Sequence, residues 1–286
     1  MTAGTSAIRS TSRVDRRYAR PVDAGRLAVT VVLAAAPAAA APGDAPLDQP
    51  DLDTASSFSA VVDGQILAVD RYTTSAPVLV LLATSMRLAP GVALAVSAPL
   101  GVSEDGAGIG NLTFGAQYAR PVTCHATAGV GVALTTAAAS TGSADAVAHA
   151  LPREAFRYFD DGSVLQVHGD ARWRRGPLTV QGQLGIEDYV MPAWRDQVLV
   201  RAALALTLAG RVARGTLEGT LLTDALDEEY DEGHDVVGAV TLGGRTPVGG
   251  GAIGVHVTYQ RSYPLSIATG NQWQVGFDAA FPTRWW

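Results

Sequence analysis

The segment Asp224–Asp235 reads DALDEEYDEGHD, with seven acids and His234 in twelve residues. Clustered carboxylate oxygens are what hard divalent cations take, but the ligand spacing of an EF-hand loop is absent. A solvated acidic surface loop accounts for the same composition. Asp224, Asp227 and His234 could also be drawn as the acid–histidine cluster of a surface protease, a drawing that so many acids make easy. A lipid-face hydrolase would need a Ser and a His projecting outward within hydrogen-bond reach. Of the five histidines, His125, His168 and His256 fall in the opposite, inward phase, and His149 and His234 sit in loops without a Ser at suitable spacing. There is no G-x-x-x-x-G-K-[ST], no CxxC and no H-E-x-x-H. Cys124 is the only cysteine, so no intramolecular disulfide forms. The chain therefore reads as a non-enzyme, with no catalytic residue, no metal site and no cofactor assigned.

The chemistry this chain does concentrate is a set of polar side chains that recur at every second position of apolar segments. They are His168, Asp170, Arg172 and Arg174, then Glu187, then Arg201, Arg214 and Glu218, then His256, Gln274 and Asp278. Carried on strands that close into a barrel, these residues face the lumen, and charged rings of this kind are how pores discriminate between solutes. Both signs are present: Arg172, Arg174, Arg201 and Arg214 against Asp170, Glu187, Glu218 and Asp278 would set a transverse field of weak ion selectivity. Two readings compete. The groups either line a restricted wet passage, or pair across strands and fill a narrow barrel. Gly129, Gly131, Ala133, Gly185, Ala203 and Ala205 lie in the same phase and are small enough to leave room.

Those positions require β-strands. In Ile109–Tyr118, Leu112, Phe114, Ala116 and Tyr118 share one face, and Asn111, Thr113, Gly115 and Gln117 the other. Alternation of this length is a strand with one apolar face. Twelve such strands are expected, roughly at Ser57–Val69, Val78–Leu88, Val92–Leu100, Ile109–Ala119, His125–Ala138, Ser163–Arg174, Leu178–Val190, Val198–Ala209, Ala213–Thr223, Val236–Arg245, Ala252–Arg261 and Gln272–Phe281. The breaks after even-numbered strands are short (Ala89-Pro90-Gly91, Arg175-Gly176-Pro177), whereas those after odd-numbered strands are mostly longer (Gly101–Gly108, Thr141–Gly162). Short turns at one end and long loops at the other mark an outer-membrane barrel. Most of the segments run ten to thirteen residues, longer than the ~5–6 of ordinary soluble sheets. Tyr118, Trp173, Tyr259, Trp273 and Phe281 stand near strand ends in the apolar phase, where interfacial girdles lie. The fold class is all-β: a transmembrane antiparallel up-and-down barrel of about twelve strands, with a soluble exported β-protein as the alternative. Lipid leaves no strand edge unpaired, so the last strand must meet the first.

There is no lysine. Of the 21 basic residues, six arginines precede Ala41, leaving 15 against 25 acids and no basic patch for nucleic acid. Arg13, Arg16, Arg17, Arg20 and Arg26, the apolar run Leu27–Ala36 and Ala38-Ala39-Ala40 are the three parts of a signal peptide. The organisation is thus a cleaved signal over residues 1–41, a flexible periplasmic lead-in over 42–56, and a barrel over 57–286. The lead-in carries Asp44, Asp48, Asp51 and Asp53 and could fold back as a plug. Phe156, Tyr158 and Phe159 give loop Thr141–Gly162 enough bulk to act as a constriction or lid.

Ser97–Tyr118 reads SAPLGVSEDGAGIGNLTFGAQY. This resembles a motif of a broad family of outer-membrane barrel transporters linked by name to the meta-pathway of phenol degradation. The family shows a "P-L" step, a Gly/Asp loop and then "G-x-G-[D/N]-L-T-x-G-x-x-Y", carried here by Pro99, Leu100, Gly108, Gly110, Asn111, Leu112, Thr113, Gly115 and Tyr118. Trp285-Trp286 likewise resembles the aromatic C-terminus read by barrel-assembly machinery, although Pro282-Thr283-Arg284 intervenes. The resemblance implies a Gram-negative outer-membrane location and uptake of small organic molecules. It implies no catalytic residues and does not make phenol the substrate. The partners expected are outer-membrane lipid and lipopolysaccharide, the assembly machinery and a small-molecule solute. Besides the passage, a structural or adhesive closed barrel without transport stays open.

Overall fold

The computed structural model describes Gln49 and residues 52–53, 55–68, 78–103, 106–136, 162–190, 197–210, 212–224, 236–262 and 271–283, all within one compact unit, Ala35–Trp286. The expected signal peptide, the acidic loop beyond Asp224, the loop aromatics Phe156, Tyr158 and Phe159, and Trp285-Trp286 lie outside the described residues.

The strands are β1 (Ser57–Ala68), β2 (Val78–Ala89), β3 (Val92–Ser103), β4 (Gly106–Ile109), β5 (Thr113–Pro121), β6 (Ala126–Thr135), β7 (Ser163–Arg175), β8 (Leu178–Val190), β9 (Gln197–Ala209), β10 (Arg214–Asp224), β11 (Val236–Val248), β12 (Gly251–Ser262) and β13 (Asn271–Pro282). All pairings are antiparallel between neighbours, and β13 returns to pair with β1 from Ser57↔Pro282 to Ala68↔Gln272. The result is a closed up-and-down barrel of twelve strands. The short β4 continues the course of β5 along β3. Closure removes the bare edges that hydrocarbon would leave unsatisfied.

Local sequence explains the hairpins. β11 and β12 are joined at Gly249-Gly250, with φ of 57° and 88°. Two consecutive positive φ values match the twist of the flanking strands, and glycine adopts them without a Cβ penalty. Gly91 (φ 77°) and Gly176 (φ 56°) serve the turns after β2 and β7. All these turns lie at the end of the barrel where Ser57 and Pro282 also stand, hereafter the short-turn end.

The distribution of polarity is the inverse of a soluble core. Outward rows are apolar and uncovered, with Leu184 and Leu242 64% exposed and Phe277 57%. Inward rows bury Gln181, Glu187, His256, Thr258, Gln260 and Gln274 to 2% or less. A soluble β-sandwich places its apolar row inside; a transmembrane barrel places it outside. Tyr118 and Trp173 lie outward near the short turns. Tyr259 and Trp273 lie outward towards the far end, with ring centroids 4.9 Å apart.

Two expectations need revision. The strand expected over Ile109–Ala119 is interrupted: Ser97 pairs with Thr113 but Leu100 with Ile109, so Gly110–Leu112 oppose only Ala98 and Pro99. This extra residue is a β-bulge, and it switches the phase of the alternation. Ile109 therefore faces outward, while Asn111 and Thr113 are buried inside. Proline at 99 offers no N–H to the ladder, and its carbonyl accepts from the Gly110 N–H at 2.9 Å. The neighbouring Gly101–Gly108, expected as an open loop, is mostly strand: β3 runs on to Ser103 and β4 begins at Gly106. The second revision concerns His125, which is not an inward strand residue. It sits exposed in the turn after β5, whose Thr123 hydroxyl accepts from the Ala126 N–H.

Candidate functional site: the barrel interior

Residues directly opposite one another on antiparallel strands point to the same face. The register therefore carries inward rows around the barrel. One row passes from Arg172 through Gln181, Ala205, Glu218, Thr241 and Thr258 to Gln274. The next runs from Arg174 through Thr179, Thr207, Thr216, Gly243, His256 and Gly276 to Asp63. Every one of the eleven polar candidates stands on this inner side. Asp170, Arg172, Glu187, Arg201, Glu218, His256, Gln274 and Asp278 are buried, and His168, Arg174 and Arg214 half-buried.

They are drawn together locally rather than arranged as opposing rings of charge. On β7–β9, Glu187 accepts from Arg201 Nε at 2.6 Å, from the Tyr189 hydroxyl at 2.7 Å and from Gln166 Nε2 at 3.2 Å. Asp170 accepts from His168 Nδ1 at 2.7 Å and from Gln183 Nε2 at 3.1 Å. Across the β13–β1 seam, His256 Nε2 donates to Asp63 at 2.5 Å, and its Nδ1 lies 3.7 Å from Asp278 Oδ2. Arg245 Nε donates to Asp278 at 2.5 Å. Arg214 stands opposite Arg245 in the register. Five inward apolar side chains, Val164, Tyr189, Leu199, Leu222 and Val237, pack together near the far end on β7–β11. Neither this cluster nor Asp63 and Arg245 was among the sequence candidates, although the odd-numbered phase of β1 and β11 carries both charges.

The lead-in departs from expectation. Its described residues are not a free periplasmic tether: Leu52 and Gln49 are buried, and Asp53 pairs with Arg172 and, at 3.9 Å, with Arg174. Following the ring from β1 through β2, β3, β5 and β6, β7 is the fifth strand on, close to half-way round twelve. Asp53, four residues before β1, thus reaches the opposite wall near the short-turn end. The physical reason is charge: two inward arginines at the end of β7 receive a carboxylate that the sequence pattern left without an address.

The small inward residues also behave differently from expectation. A Cβ at Gly129 would meet Leu52 Cδ2 at 2.8 Å, and one at Gly131 would meet the His168 ring. Gly185 lies 2.9–3.0 Å, by the same measure, from the β7 backbone and His168 Cβ. These glycines make room for neighbouring side chains rather than for solute. Ala203 and Ala205 are buried as well; of the six, Ala133 stays accessible. No group of three or more His, Cys, Asp or Glu able to hold a metal occurs among the described residues.

No protein-family model matches the chain, and no curated protein matches it. Solved structures do share its architecture. An outer membrane channel from Pseudomonas putida F1 superposes with TM-score 0.60 at 10% identity, over 84% of this chain and 100% of that one. The NanC porin superposes with TM-score 0.52 at 10% identity, over 80% and 100%. At this identity the likeness establishes the fold.

Proposed function

We propose that the protein is an outer-membrane barrel forming a restricted passage for small, organic solutes. The observation that carries this reading is the closed ring of twelve strands whose outer face is apolar and whose inner face on β7–β13 is mostly polar. A wall of that polarity is costly unless water or polar groups meet it. Twelve strands lie between the filled eight-stranded barrel and the open porin of ~16–18. Asp53 and Leu52 narrow the short-turn mouth, which faces the periplasm when the longer loops face outward. The residue pattern at Ser97–Tyr118 supports kinship with the phenol-degradation transporter family, the N-terminal pattern supports export by a cleaved signal, and lipopolysaccharide and the assembly machinery are the partners such a barrel meets.

A second reading is favoured by the side chains that occupy Gly129, Gly131 and Gly276: a closed structural barrel without transport. Two measurements separate these. Heat-modifiable gel migration distinguishes a membrane barrel from a soluble protein. Discrete conductance steps in a planar bilayer are expected for the passage; a flat trace from correctly folded protein refutes it.

A further inference from the structure

The inner wall has two unlike halves. On β7–β13 the inward side chains include all eleven polar candidates named above, many of them paired with one another and most of them buried. On β2, β3, β5 and β6 they are mostly short, and Arg87, opposite Ala93 at the short-turn end, is the charged one among the described residues. The row Ser85–Ala95–Gly115–Ala133 crosses these four strands and meets Gln166 on β7. The adjoining row, towards the short turns, holds Arg87, Ala93, Gln117 and Gly131, and above lie Leu81, Ala83, Pro99 and Ser97. From Leu79 to Ser85 and across to β6, no inward residue is charged.

The middle of this wall is a patch of accessible inward residues. Ala95 is exposed and Leu81, Ala83, Ser85, Gly115, Gln117 and Ala133 are half-buried, although all point into a closed barrel. In the other half Ala203, Ala205, Thr207, Thr220, Thr241 and Thr258 are buried and Thr216 and Gly243 half-buried, while on this wall Leu79, Ala93, Ser97, Pro99 and Gly131, which flank the accessible patch, are buried. A Cβ added to Gly115 would make only ordinary contacts, at 3.6–3.9 Å. The open space inside the barrel therefore lies off-centre, against β2–β6. The Nε2 of Gln117, in the adjoining row, is buried without an acceptor among the described residues.

We infer that the passage runs eccentrically along the β2–β6 wall through a chamber centred on Ala95, Gly115 and Ala133, and that it takes small uncharged molecules. This rests on the passage reading above and adds to it the route and the solute class. The charges of the other half are largely engaged by neighbouring side chains: Glu187 by Arg201, Asp170 by His168, Asp278 by Arg245 and Asp63 by His256. At the level of Ala95, Gly115 and Ala133 an ion meets alanine, glycine and serine rather than a counter-charge that replaces its lost water.

The single native cysteine makes the test direct. In a Cys124→Ser background, cysteines are placed singly at Ala83, Ala95 and Ala133, and at Ala203, Ala205 and Thr258. The folded barrels are treated with a methanethiosulfonate sulfonate. The first three should react and lose current on labelling, and the second three should react at least about ten-fold more slowly, since thiol modification follows exposure. Gel heat-modifiability certifies each variant, and the three positions per wall stand in for one another if one fails to fold. In liposome swelling, arabinose should enter faster than arabinonate, and labelling at Ala95→Cys should slow arabinose. Equal labelling of both walls, unchanged current after labelling at Ala95, or faster entry of arabinonate overturns the inference while the passage stands. A wild type without current and six unreactive cysteines refutes passage and route together.

Discussion

The substitution Arg201→Met tests whether the polar half of the interior is packed or wet. Glu187 is 1% exposed and Arg201 7%, and their contact is 2.6 Å. Methionine keeps the bulk of the stem and removes the charge. Breaking a buried ion pair from one side costs about 3–5 kcal/mol, because the partner charge is left uncompensated. Glu187 retains its bonds from Tyr189 and Gln166, so the cost falls near the lower end, about 3 kcal/mol. Adding Glu187→Gln removes the stranded charge while keeping an acceptor for Tyr189. The double variant should therefore lie only about 1 kcal/mol below wild type, recovering about 2 kcal/mol of the single variant's loss. Urea unfolding from lipid vesicles, followed by tryptophan fluorescence and gel migration, measures all three differences. If Arg201→Met costs under about 1 kcal/mol and the double variant is no better, the pair is solvated like a surface pair. The claim that this wall is packed would then be wrong.

Other perturbations address the remaining layers. Leu184→Arg places a charge at the middle of β8 on an outward row and should cost about 2–4 kcal/mol in the same unfolding assay, against under about 0.5 kcal/mol for Ala133→Ser on the inner face; equal costs would contradict the assignment of faces. Asp53→Asn removes the carboxylate that meets Arg172 and Arg174 and should raise single-channel current by loosening the short-turn mouth; an unchanged current would mean that this contact does not limit flow. Reversal potentials across a salt gradient should show weak preference between cations and anions, because interior charges of both signs are locally paired; strong selectivity of either sign would count against that pairing.

The sequence was most informative where punctuation and period agreed. Leu178–Val190 follows Gly176-Pro177 and alternates without a fault, and its observed bounds coincide with those expected. The region around Gly110 was harder, because one inserted residue in a glycine-rich stretch reverses inside and outside, and no local signal marks which residue is the extra one. The eleven inward polar residues followed from period two alone, since the rule needs no partner. Their partners did not: Asp53 lies outside any periodic segment, and its pairing with Arg172 spans the barrel. The filling of Gly131 by His168 was equally invisible, as a small residue reads the same whether it borders space or a neighbouring ring. The contrast between the two halves of the wall was present in the sequence, where β2–β6 carry mostly alanine, glycine and serine inward, but it gained meaning only when burial marked out the accessible patch.

The pairing of β1 with β13 has a consequence for how the molecule is made. The ladder from Ser57↔Pro282 onward joins residues from opposite ends of the barrel sequence, so the final contact is also the one of greatest loop-closure cost. Until the last strand has emerged from synthesis, every partial product is an open sheet with two sticky borders. Maturation is then all-or-nothing: a chain stopped a few residues short of Pro282 is no slightly weaker version of the same object, but one that stays dependent on a chaperoning surface or is lost to aggregation.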